Sequence, residues 1–74
     1  MRTEVYTAVV YPEDDGFVSW CPELDVASQG DTKEEARANL REAVQLFLET
    51  ASPEEIAERK HSQATTTPLE VQVG

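Results

Sequence analysis

Positive charge is scarce in this chain: 74 residues carry six Lys and Arg against 15 Asp and Glu, a net charge of −9. A surface of that sign repels phosphate backbones, which argues against direct nucleic-acid binding by this chain alone and favours a basic protein partner. Cysteine occurs once, so Cys21 has no internal disulfide partner, and no His or Cys stands near it at a metal-ligand spacing. It reads as a small packing residue, and neither a metal nor a cofactor is expected. The single histidine, His61, could pair with Cys21 as base and nucleophile, but one of each carries no spacing signal, and His61 reads as a solvated residue. Three scattered glycines, Gly16, Gly30 and Gly74, make no phosphate-cradling loop. No apolar run approaches the roughly 20 residues that span a bilayer. The opening Met1-Arg2-Thr3-Glu4 lacks the apolar core of a signal peptide, so the expected compartment is the cytoplasm.

What is present is 39% hydrophobic residues, enough for one small domain over residues 1–74. A domain of this size buries only about 60% of its unfolded surface, so self-association into a homodimer or homotetramer is expected. Residues 4–11 are rich in β-branched and aromatic side chains and predict a first strand that is apolar on both sides. Pro12-Glu13-Asp14-Asp15-Gly16 predicts a hairpin loop of about five residues, after which Phe17-Val18-Ser19-Trp20-Cys21 returns antiparallel. Pro22 breaks the ladder, Leu24 and Val26 alternate with polar neighbours in a short third strand, and Gly30 supplies a permissive backbone angle.

From Thr32 the apolar period becomes helical, with Ala36, Leu40, Ala43, Val44, Phe47, Leu48 and Ala51 on one face. Thr32 and Glu35 have the spacing of a reciprocal capping box, so the helix starts near Lys33. Leu46 falls off the stripe and reads as a singly exposed leucine. Ser52-Pro53-Glu54-Glu55 starts a second, short helix over residues 52–60. Residues 61–68 read as a connector, and the alternation of Leu69, Val71 and Val73 predicts a last strand over residues 69–73.

The order β-β-β-α-β predicts an α+β fold whose last strand runs parallel beside the first. The expected mixed sheet has strand order 3-2-1-4, with one main helix on one face, as at the start of a ribonuclease-H-like fold. The other face would then be open, and Tyr6, Ala8, Val10 and Trp20 are its candidate oligomer contacts. A metal-dependent nuclease on that plan needs an acid in the middle of the first strand, where this sequence reads Thr7-Ala8-Val9. No catalytic residue is therefore assigned, and the chain is not expected to be an enzyme. Residues 12–25 hold Glu13, Asp14, Asp15, Glu23 and Asp25 without a Lys or Arg, which makes these five the candidate partner-binding residues.

The apolar first strand, the Glu13-Asp14-Asp15-Gly16-Phe17-Val18 hairpin, the Cys21-Pro22-Glu23-Leu24 turn and the Gly30-Asp31-Thr32-Lys33-Glu34-Glu35-Ala36 helix entry form a specific combination. In it the chain resembles the HicB-like antitoxins of HicA/HicB toxin–antitoxin systems, over residues 4 to about 50. The resemblance implies a non-catalytic, partial ribonuclease-H-like domain that oligomerises and neutralises a small basic HicA-like, mRNA-cleaving toxin. Many HicB proteins add a C-terminal DNA-binding domain, and here only a connector and one expected strand follow the helices, as in a short form. The alternative is a stand-alone oligomeric regulatory or small-ligand-binding module.

Overall fold

The computed structural model describes residues 3–60 and 67–74. Three strands, β1 (Val9–Glu13), β2 (Gly16–Cys21) and β3 (Val26–Gly30), precede two helices, α1 (Lys33–Thr50) and α2 (Pro53–Lys60). The strands form one antiparallel sheet in the order β1-β2-β3.

This corrects the expected mixed sheet of order 3-2-1-4. Residues 69–73 form no strand, and among the described residues β1 pairs with β2 alone. Alternation of Leu69, Val71 and Val73 specifies which side chains share a side, but it supplies no ladder partner, and a strand needs both. The expected connector falls mainly on residues 61–66, which lie outside the described residues.

The first strand also lies later than its composition suggests. β2 ends at Cys21, where Pro22 has no N–H to give, so pairing begins at Val9 opposite Trp20 and runs to Glu13 opposite Gly16. The hairpin loop accordingly shrinks to Asp14-Asp15, with Asp14 in the left-handed region at φ 54°. Pro12 is accommodated because β1 is an edge strand.

The register fixes the two faces. Pairs Val10–Ser19, Pro12–Phe17, Cys21–Val26 and Ser19–Ser28 share the side covered by α1, and Val9–Trp20, Tyr11–Val18 and Trp20–Ala27 share the open side. Helix and sheet meet through small residues, since Ser19 and Ala36 are fully buried and the Ser19 hydroxyl donates to the Ala36 carbonyl at 2.7 Å. Cys21, Leu24 and Leu40 complete the core, flanked by the half-buried Tyr6, Val26, Val44, Phe47 and Leu48.

Thr32 caps α1 as its sequence predicts, accepting from the Glu35 N–H at 3.1 Å. The return bond differs: the Glu35 carboxylate accepts from the Asp31 N–H at 3.4 Å, one residue earlier than a capping box requires. Leu46 is exposed, and Ser52 caps α2 by accepting from the Glu55 N–H at 3.1 Å. Arg59 fastens α2 to the rest of the domain. Its guanidinium donates to the Leu24 and Asp25 carbonyls at 3.1 and 3.3 Å and lies 5.0 Å from the Phe47 ring centroid.

Candidate partner-binding surface

β3 runs antiparallel to β2 and ends at Gly30 opposite Phe17, so the start of α1 arrives beside the β1–β2 hairpin. This brings Glu13, Asp14 and Asp15 together with Asp31 and Glu35 round one open depression of about 660 Å³, whose lining also includes Phe17, Gln29 and Asn39. Asn39 donates its side-chain amide to the Gln29 carbonyl at 2.8 Å and so holds the floor of the depression to α1. Lys33 is the nearby cation, 5.9 Å from the Phe17 ring centroid.

The other two candidate acids lie at the far end of β2, a strand length of about 17 Å away, and both have structural partners. Glu23 accepts from the Thr7 backbone N–H at 3.0 Å and from the Thr7 hydroxyl, tying residues 3–8 to the turn after β2. These bonds, the hydroxyl's first, hold its carboxyl below the usual value of 4.5. Asp25 accepts from the Trp20 indole N–H at 3.1 Å and itself sits in the left-handed region at φ 55°. The five acids adjacent in sequence are therefore two groups in space. Asp31 and Glu35 join the hairpin group; an antiparallel meander returns the chain after its third strand to the first hairpin, and that was the signal for them.

Because folding lowers the Glu23 pKa, its contribution is complete above the ordinary value of 4.5 and is lost as pH falls through the lower folded value. Glu23→Gln is expected to cost about 0.5–1 kcal/mol at neutral pH, after allowance for its solvated position, and to flatten the stability profile in that acid window. Urea unfolding at pH 7 and pH 3.5 checks both; equal losses at the two pH values would contradict the assignment.

Burial is the main cause that pushes the Cys21 thiol above its usual value, which keeps it a protonated packing group rather than a thiolate nucleophile. Its suggested partner His61 lies outside the described residues. Among the described residues no group of three or more His, Cys, Asp or Glu side chains is placed to hold a metal ion. No helix there is long and apolar enough to cross a membrane.

The oligomer candidates Tyr6, Ala8, Val10 and Trp20 do not share one face. Val10 stands opposite Ser19 on the helix side and Tyr6 packs against the core, whereas Trp20 stands opposite Val9 on the open side. The register brings Val9 and Tyr11, not Val10, to the side of the sheet that Trp20 occupies.

Curated relatives of this chain are named only as UPF0150 proteins. One from Synechocystis sp. is 42% identical over 50 residues, covering 66% of this chain and 69% of the relative. One from Helicobacter pylori is 31% identical over 65 residues, covering 86% and 90%. A second from Synechocystis sp. is 45% identical over 47 residues, covering 61% and 60%. No family model matches the chain, and no solved structure does.

Proposed function

The chain belongs to the UPF0150 family, and on that footing we propose that it is a non-catalytic, HicB-like antitoxin that binds and neutralises a small basic HicA-like toxin. The observation that carries the reading is the acidic depression, where Glu13, Asp14, Asp15, Asp31 and Glu35 converge from the hairpin and the start of α1. Such a surface steers a cationic partner and fixes its orientation, while apolar contacts set the lifetime of the complex. Phe17, within the depression, offers one such contact. The reading does not depend on a ribonuclease-H-like sheet.

Co-production with a HicA-like toxin from the same genome tests it. The wild-type chain should restore growth and co-purify with the toxin; neither happening would end the proposal. Reversing Glu13, Asp14 and Asp15 together to Lys should slow association on the order of tenfold or more at low salt and remove most of its salt dependence. Glu42→Lys, on the exposed side of α1, serves as the control and should leave the rate within about twofold of wild type.

A further inference from the structure

α2 buries none of its residues and is joined to α1 through Ala51 and Ser52. Its hold on the domain is concentrated in its last turn, which carries Arg59 and Lys60, two of the six basic residues of the chain. Arg59 donates to the Leu24 and Asp25 carbonyls and covers the Phe47 ring. Lys60 pairs with Glu4 at 3.4 Å and stands 5.8 Å from the Tyr6 ring centroid, so it holds the N-terminal segment as Arg59 holds the turn after β2. That turn has two further attachments. Glu23 accepts from Thr7, and the Asp25 carboxylate accepts from the Trp20 indole while the Asp25 carbonyl accepts from Arg59. Asp25 lies in the left-handed region, a conformation that a residue with a Cβ keeps only while its surroundings hold it there.

We propose that α2 is a clasp that opens as one piece about Ala51 and Ser52, and that its opening loosens residues 3–8 and the Trp20 indole together while the acidic depression stays unchanged. The closed form is loosely made. An open depression of about 390 Å³, lined by Glu4, Val5, Tyr6, Glu23 and Lys60, lies where α2 meets the N-terminal segment. The Tyr6 hydroxyl is buried with no hydrogen-bond partner among the described residues, and opening gives it water. The Lys60–Glu4 pair is solvent-exposed and therefore weak. Few buried contacts and exposed polar bonds are the marks of a segment that opens locally, well below the cost of global unfolding. Arg59 and Lys60 are neighbours on one helical turn, so release of either leaves the other as a single attachment. The bonds that shape the acidic depression, Thr32 with Glu35 and Asn39 with Gln29, belong to the other end of the sheet and involve neither residue. The open form uncovers the Phe47 and Tyr6 rings, an apolar surface that exists only when the clasp is released. This inference is independent of the toxin-binding reading, because it uses neither the acidic depression nor the toxin.

Solvent exchange of the Thr7 amide and the Trp20 indole N–H, measured by NMR on the full chain at pH 7, tests it. Each variant is read on the far side of the clasp. Lys60 contacts Glu4 and Tyr6, and Arg59 contacts the turn and Phe47. Lys60→Met should nevertheless accelerate exchange at Trp20, and Arg59→Met at Thr7, each by roughly three- to tenfold. The Glu35 amide, bonded to Thr32 beside the acidic depression, should stay within about twofold of wild type in both. Lys60→Met that accelerates Thr7 alone, or Arg59→Met that accelerates Trp20 alone, means separate attachments and overturns the proposal. Acceleration of the Glu35 amide to the same extent overturns it too, because the variant then loosens the whole domain. So does unchanged exchange at all three sites.

Discussion

Gly30→Ala is expected to lower stability by about 3 kcal/mol, a large part of the roughly 4–11 kcal/mol available to a domain of this size. A Cβ at residue 30 would stand 2.5 Å from the Ala36 nitrogen, 2.8 Å from the Glu35 carbonyl carbon and 3.0 Å from the Ala36 Cα. All three are backbone atoms of the first turns of α1, so no side chain can rotate away to relieve the overlap. The helix must lift, and lifting it strains the buried bond from the Ser19 hydroxyl to the Ala36 carbonyl. Overpacking of this kind costs about 1–3 kcal/mol, and a weakened buried hydrogen bond adds about 1 kcal/mol. Gly16→Ala is the comparison: its Cβ would meet the Gly30 carbonyl oxygen at 2.9 Å, with the carbonyl carbon 3.8 Å away, and it should cost less. Urea unfolding midpoints at pH 7 decide the matter, and equal midpoints for wild type and Gly30→Ala would refute the close approach.

Leu24→Ala should be comparably damaging, at about 3 kcal/mol, because it empties the centre of a very small core. Leu24 is the largest fully buried side chain among the described residues and packs with Cys21 and Leu40. It does so from a turn rather than a strand: its N–H and that of Asp25 both donate to the Cys21 carbonyl, at 3.3 and 2.8 Å. Its own carbonyl receives Arg59, so a collapsing cavity also disturbs the seat of α2. The expected fall in Tm is on the order of 10–20 °C. Leu46→Ala, at an exposed position of the same chemistry, should stay within about 0.5 kcal/mol of wild type. Thermal unfolding that gives similar losses for the two leucines would contradict this account of the core.

Elements whose signals are local were legible in the sequence. Thr32 and Ser52 announce helix starts through hydrogen bonds to residues three positions on, and the stripe from Ala36 to Leu48 needs only the helical period. Where a position depends on a distant partner, the sequence was a poorer guide. Tyr6 and Thr7 have strand composition, yet their segment is held by the Glu23 carboxylate, because Pro22 ends the opposite strand. Gly30 signals a requirement for glycine, but its cause is the nearness of the Ala36 backbone and not a left-handed angle, since no positive φ occurs there. The fourth strand was read from alternation, which says nothing about whether a sheet edge is available. The candidate acids were grouped by adjacency in sequence, whereas the meander groups Glu13, Asp14 and Asp15 with Asp31 and Glu35 and leaves Glu23 and Asp25 at the other end.

The side-chain amide of Asn39, bonded to the Gln29 carbonyl, acquires a wider meaning beside Pro12 on β1. A three-stranded sheet has two outer edges, and each is a template on which further strands can grow without limit. Here one edge has a carbonyl occupied by a helix side chain, and the other has a residue with no N–H to offer. Each outer edge of the ladder therefore offers one fewer free group to an added strand, which blunts both edges of a sheet whose open side carries aliphatic and aromatic groups.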